Sequence, residues 1–139
     1  MSSVKIMVHA VWGTKNRFPF LTENIRPSVI DHIKFNAISK GIFVEIINGY
    51  TEHLHALIGL NVEMGIAKTM NLIKGESSYW INKQKLTDIK FEWADEYFAV
   101  SVSESQLHKV RKYIENQEEH HKKVKFSQEY DDFLKYFGF

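Results

Sequence analysis

The sequence predicts an α+β fold of the ferredoxin-like, split βαβ kind, with a central antiparallel sheet and helices packed on it. Three observations point there. Short β-rich segments alternate with segments of helical periodicity in the order β-α-β-β-α-β-α-α. Two of the strands lie next to each other around Asn48-Gly49, a hairpin signal. The chain has 139 residues, 44% hydrophobic and 25% charged, which suits a single domain, 1–139, with its own core.

The elements follow in order. Val4 to Trp12 is rich in β-formers, and Ile6, Val8, Ala10 and Trp12 alternate onto one face. A polar, basic loop, Thr14-Lys15-Asn16-Arg17-Phe18-Pro19, comes next. Ile30, Ile33 and Ala37 recur at helical spacing and predict a helix from about Arg26 to Ser39, with Lys40-Gly41 as its stop. Ile42 to Ile47 and His53 to Leu60 read as strands joined by a turn at Asn48-Gly49. Met64 to Lys83 reads as a helix with Ile66, Met70, Ile73 and Tyr79 facing inward. Gly75 within it costs about 1 kcal/mol relative to Ala, which suggests a kink or a close contact. Phe98 to Val102 is the last strand. Ser103 is a plausible N-cap for a helix over about 104–121, and a final helix spans about 127–136. In a split βαβ arrangement the first and third strands are central, and the third carries His53 and His55.

Composition narrows the function. The 18 Lys and Arg against 17 Asp and Glu leave a formal charge of +1. A protein that coats nucleic acid carries a larger basic excess, so any such contact should be local. Cysteine is absent, which excludes a disulfide framework, a thiol nucleophile and a thiolate metal site. The N-terminus lacks the apolar core of a signal peptide, and no apolar run is long enough to span a bilayer. A cytoplasmic protein without membrane contact is expected.

Two short patterns carry possible chemistry. His53 and His55 flank Leu54 at the start of a strand, so both imidazoles point to one side. They could hold a divalent metal, or simply be hydrogen-bonded at a strand mouth. Tyr113 and Gln117 are four apart on a predicted helix and share a face. They could reach one point in space, or Tyr113 could pack on the sheet with Gln117 in water. Lys15, Arg17, Lys74, Lys109, Arg111 and Lys112 are natural phosphate partners, and equally a solvated charged face.

Taken together, these motifs resemble the HUH-type single-tyrosine transposases of small bacterial insertion sequences. The matching pieces are His53-Leu54-His55 and Tyr113-Ile114-Glu115-Asn116-Gln117. The opening His9-Ala10-Val11-Trp12-Gly13-Thr14-Lys15-Asn16-Arg17 is similar to the family's first strand and basic loop. Leu72-Ile73-Lys74-Gly75-Glu76-Ser77-Ser78 resembles its middle helix, and Tyr97-Phe98-Ala99-Val100-Ser101-Val102 the strand before the catalytic helix. The resemblance covers roughly residues 4–117, and the tail after His121 is less distinctive.

The resemblance implies a bacterial DNA transposase that cleaves and rejoins single-stranded DNA at insertion-sequence ends through a 5′-phosphotyrosine link. It implies Tyr113 as nucleophile, a divalent metal (Mg²⁺ or Mn²⁺) on His53, His55 and Gln117, and phosphate contacts from Lys15, Arg17, Lys74, Lys109 and Arg111. It further implies DNA hairpins as partners and a homodimer in which the Tyr113 helix could complete the partner's site. Three neutral ligands would leave the metal its full charge and open positions for phosphate oxygens. Competing readings are a domesticated hairpin-binding protein that no longer cleaves, a replication-initiator or relaxase-type nuclease, which usually has a longer chain, and a small metal-binding protein. Among other residues, His9 is expected to be packed or hydrogen-bonded, with support of the histidine pair or a phosphate contact as the alternatives. His120 and His121 are expected in solvent at a helix end. Glu52 and Glu115 are expected to point away from the site, with support of the site's side chains as the alternative, and Trp93 to lie in the core, with base stacking as the alternative.

Overall fold

The computed structural model describes residues 2–139. Four strands form one antiparallel sheet in the order β2-β3-β1-β4: β1 (Met7–Gly13), β2 (Phe43–Gly49), β3 (His53–Gly59) and β4 (Phe98–Val102). The two central strands are β1 and β3. All seven residues of β1 and the first six of β3 are buried, which explains why they read as nearly continuous apolar runs.

Each face of the sheet has its own helical layer. On one side, α1 (Arg26–Ser39) and α2 (Ile66–Lys83) cover Ala10, Trp12, Leu54, Ala56 and Ile58 with Val29, Ile33, Ala37, Met70, Ile73 and Ile81. Each large apolar side chain buried there contributes roughly 1.5–3 kcal/mol. On the other side lie α3 (Leu107–Glu115), α4 (Gln117–His121) and α5 (Phe126–Tyr136). Leu107 and Ile114 pack on Met7 and Leu57, and Phe126 packs on Val11 and Phe98.

The helix Arg26–Ser39 and the strand Phe98–Val102 lie where the periodicity puts them. Other elements differ. Asn48 and Gly49 complete β2 rather than turning the chain, and the turn runs over 50–52. Glycine is needed at position 49 for closeness: a Cβ there would lie 2.1 Å from the His53 carbonyl oxygen. The Asn48 amide donates to the carbonyls of Ile114 (3.1 Å) and Glu115 (3.0 Å), capping the C-terminus of α3. The single helix expected over 104–121 is therefore divided. A 3₁₀ turn at Glu104–Gln106 precedes α3, and the helix breaks at Asn116 before α4. Ser103 is extended there, but its side chain makes no capping bond.

In α2, Tyr79 does not face inward; it is 64% exposed. The inner row is Thr69, Met70, Ile73, Ser77 and Ile81, and Tyr79 sits roughly 200° around the helix from Ser77. Nor does Gly75 mark a kink or a close contact. The helix runs through it, and nothing lies within 4 Å of a Cβ built there. Gly75→Ala should therefore raise stability by about 0.5–1 kcal/mol, by removing backbone freedom from the unfolded chain. Urea denaturation checks this; an unchanged or lower midpoint would count against an open, regular helix at this position.

Candidate active site

The central pairing of β1 with β3 sets His55 opposite Val11 and Leu57 opposite His9. Alternation along the strands then sends His9, His53 and His55 to the face covered by α3, α4 and α5, while Leu54 and Ala56 enter the apolar core. The His53 and His55 ring centroids are 5.1 Å apart. Tyr113 descends from α3 with its ring 5.7 Å from that of His55. Gln117 opens α4, fully buried, with its Oε1 3.1 Å from His53 Nε2. The four residues singled out from the sequence thus converge within one chain.

Five more residues join them. Glu129 on α5 places Oε1 3.0 Å from His55 Nε2, 3.1 Å from His121 Nε2 and 3.5 Å from His53 Nε2. Its Oε2 accepts a hydrogen bond from the Tyr113 hydroxyl and lies 3.1 Å from His120 Nε2. His120 and His121 are accordingly not solvated as expected. The His121 side chain is buried, and both rings turn inward toward the carboxylate. Glu52 does not point away either: its Oε1 lies 2.8 Å from His53 Nδ1. His9 is buried, with Nε2 2.9 Å from His55 Nδ1, so it supports the pair directly. Glu115 is exposed, and Trp93 is buried in the core with its indole N–H donating to Ser77 Oγ at 2.9 Å.

These contacts fix which nitrogens face the centre. Glu52, ionised, and the Val124 carbonyl can only accept, so His53 and His121 carry hydrogen on Nδ1. Their Nε2 atoms are left pointing inward, the arrangement in which metal-ligating histidines are usually held. One donor atom from each of His53, His55, His121 and Glu129 lies within 4.8 Å of the others. Imidazole nitrogens with a carboxylate or amide oxygen suit a divalent transition metal, so the residues present fit such an ion.

The electrostatics follow from burial and the shared carboxylate. Burial lowers His9 to about 4 and His55 to about 3, so both rings are neutral near pH 7. Burial pushes the Glu129 carboxyl up, but hydrogen bonds from His121, His55 and Tyr113 outweigh it and hold it far below the ordinary range. Burial also raises Tyr113, and the neighbouring Glu129 carboxylate raises it further. The phenol is firmly protonated in this arrangement.

The basic residues divide. Lys109 lines a cleft of about 470 Å³ with His9, Tyr113, Phe133 and Tyr136. Arg17 lies on the other flank, its guanidinium 4.7 Å from the Phe126 ring centre. It sits at a left-handed bend, with φ 57° at Asn16 and 56° at Arg17. Lys15 pairs with Glu92 at 3.3 Å. Lys74 donates to the carbonyls of Ala94 (2.7 Å) and Asp95 (3.0 Å), and Arg111 pairs with Glu45; neither is brought to Tyr113.

Sequence reasoning missed Glu129 and His121 as members of the site. A signal existed for the first. Phe126, Tyr130, Phe133 and Leu134 form the inward stripe of α5, and Glu129 is a charge set inside that stripe. His121 carried no comparable mark.

Residues 2–117 match a family described as "Transposase IS200 like". The ISDra2 transposase TnpA of Deinococcus radiodurans is 26% identical over 115 residues, covering 78% of this chain and 81% of that protein. Two solved structures share the fold. A candidate transposase from Deinococcus radiodurans aligns with a TM-score of 0.68 at 22% identity, over 84% of this chain and 93% of its own. A REP-associated tyrosine transposase bound to a REP hairpin aligns with a TM-score of 0.66 at 14% identity, over 90% of this chain and 77% of its own.

The buried histidines make the metal-free protein acid-sensitive. An ordinary histidine at 6.5 in the unfolded chain takes up protons that His9 and His55 refuse until about pH 4 and 3. The unfolded state therefore binds more protons in that window, and stability falls as pH drops below about 6.5. Glu129, held low by its partners, adds to the loss in the same direction. Thermal melts in EDTA from pH 8 to 4 should show a flat region and then a progressive fall. A melting temperature constant down to pH 4.5 would contradict buried neutral imidazoles.

Proposed function

Since the chain belongs to the IS200-like transposase family, we propose that it cleaves and rejoins single-stranded DNA by covalent attachment to Tyr113. The observation that carries this reading is the convergence of one phenol with paired imidazoles. The Tyr113 hydroxyl is hydrogen-bonded to Glu129, whose other oxygen touches His53, His55 and His121.

The chemistry is a phosphoester exchange. The Tyr113 oxygen bonds to the scissile phosphorus, the bond from phosphorus to the upstream O3′ breaks, and that oxygen leaves as a 3′-hydroxyl. The 5′-phosphotyrosine keeps the ester, so rejoining needs no nucleotide. The Tyr113 proton already points at Glu129 Oε2, with His120 Nε2 3.3 Å from the same hydroxyl. A phenol this firmly protonated is a weak nucleophile without help. A divalent ion on His53, His55 and Gln117 supplies Lewis-acid stabilisation of charge on the phosphate. Imidazole donors favour Mn²⁺ over Mg²⁺ in that role, with Mg²⁺ serving where it is abundant.

Lys109, beside Tyr113, and Arg17, over the Phe126 ring and paired with Glu96 at the weaker distance of 3.4 Å, are the first candidates for phosphate contact. Lys15, Lys74 and Arg111 are engaged with carboxylates or carbonyls and would act farther along the strand. The hairpin held by the REP-associated relative suggests a folded DNA end as the partner here. A homodimer fits the resemblance. Because Tyr113 reaches its own chain's histidines, dimerisation would join two sites rather than complete each.

Incubation with Mn²⁺ and labelled single-stranded oligonucleotides from the DNA flanking the gene tests the reading. A protein–DNA band that survives denaturation is expected, and Tyr113→Phe abolishes it. Hairpin binding with no covalent band from the unaltered protein would instead indicate a non-cleaving relative. Mixing Tyr113→Phe chains with His53→Ala chains tests assembly in one chain. The mixture should stay inactive; a recovered band would show that the tyrosine works across two subunits.

A further inference from the structure

The family match ends at residue 117, yet two of the donors around the histidine pair, His121 and Glu129, come from the tail beyond it. Their placement is specific. Three imidazole Nε2 atoms lie 3.0, 3.1 and 3.5 Å from the one oxygen Glu129 Oε1. An ion with four tetrahedral bonds of about 2.0–2.1 Å spaces its ligand atoms roughly 3.3 Å apart. The three separations from Glu129 are close to that length, and all four donor atoms lie within 4.8 Å of one another.

The hydrogen bonding behind the ligands points the same way. His53 Nδ1 is held by Glu52 at 2.8 Å, His121 Nδ1 by the Val124 carbonyl at 2.7 Å, and His55 Nδ1 by His9 at 2.9 Å. Each ring is thereby oriented through the nitrogen that faces away from the centre. With Nδ1 engaged on its far side, each of His53 and His121 turns Nε2 toward the Glu129 carboxylate oxygen.

Resting on the reading that the histidine pair is a metal site, we propose that in the tail-docked form His121 and Glu129 take the place of Gln117 and of substrate oxygens, giving a three-histidine, one-carboxylate set that binds a zinc-class ion and pins α4 and α5 over Tyr113. Such a set suits Zn²⁺ or Co²⁺, whereas Mg²⁺ demands oxygen ligands in octahedral array. Four protein ligands also fill the site, leaving no position for a phosphate oxygen. The docked tail is then the resting form. Departure of Glu129 from the ion both opens a coordination position and frees the Tyr113 hydroxyl, since one carboxylate holds both.

Visible absorption of the full-length protein titrated with Co²⁺ tests this without reference to activity. One Co²⁺ per chain should give the intense bands of a four-coordinate ion, displaced by Zn²⁺ and unaffected by a large excess of Mg²⁺. Glu129→Gln and His121→Asn, each verified as folded by circular dichroism, should weaken Co²⁺ binding by at least about 100-fold, beyond the 10–100-fold typical of losing a mere supporting partner. Only the faint bands of six-coordinate Co²⁺ in the unaltered protein would overturn the proposal, whatever the variants do. So would variants equal to the unaltered protein in affinity and spectrum. If those results came with an intact Tyr113–DNA adduct, the tail ligands would be refuted and the transposase chemistry kept. A four-coordinate Co²⁺ site in a protein that never forms the adduct would do the reverse.

Discussion

The second helical layer of this protein is held down by a buried negative charge. Glu129 is 2% exposed at its side chain, and an isolated carboxylate at such depth costs several kcal/mol. Here it is surrounded. His53 and His55 approach from β3, Tyr113 from α3, and Gln117, His120 and His121 from α4. The residue that docks α5 is thus the one that gathers the reactive groups. Phe126, one turn earlier, lies flat on the His53 ring at 4.0 Å and 3°, adding an apolar contact to the polar ones. Tail packing and site assembly are a single event.

That event is possible because the sheet has two unlike faces. One is closed by α1 and α2 over an apolar core of aliphatic and aromatic side chains, and gives rigidity. On the other, the same central strands present His9, His53 and His55, flanked by only two small apolar clusters around Leu57 and Val11. Arg26, itself buried, links the two layers by donating to the Leu21 carbonyl and pairing with Glu118 on α4, both at 2.8 Å. Asn48 does similar work at the end of β2, where its amide holds the carbonyls that close α3. The break at Asn116 lets α4 change course, so that Gln117, His120 and His121 all reach the centre.

The electrostatic consequence is a protonated phenol and a neutral His9 and His55 arranged about one anion. A transposase of this family handles a polyanionic substrate, yet the chain carries a formal charge of only +1. Positive charge must be supplied locally, and the structure does so in two ways. Lys109 lines the cleft beside Tyr113, and Arg17, paired with Glu96 at 3.4 Å, lies over the Phe126 ring. The inward Nε2 atoms of the histidines, each backed by a carboxylate, a carbonyl or another imidazole, form with Glu129 a cluster that could hold a cation. Lys74 and Arg111, which look equally suited in the sequence, are engaged elsewhere in contacts with the backbone and with Glu45.

Much of the scaffold was legible in the sequence because period and position are local properties. Strand alternation alone sets His53 and His55 on one side with Leu54 on the other, and helical spacing alone defines the inner row of α1. The order of elements was enough for the antiparallel sheet and its central histidine strand. What lay beyond reach depended on contacts distant in sequence. The helix break at Asn116 needs Asn48, 68 residues earlier, to cap α3. The inward turn of His120 and His121 needs a carboxylate that arrives only when α5 folds back. Glu52 looked like a bystander until the turn brought its oxygen onto His53. The sequence by itself determined which residues could do chemistry and which face of the sheet the paired imidazoles occupy. Only the tertiary structure decided that a tail carboxylate would join them, because the stabilisation of a buried charge comes from groups that are neighbours in space and strangers along the chain.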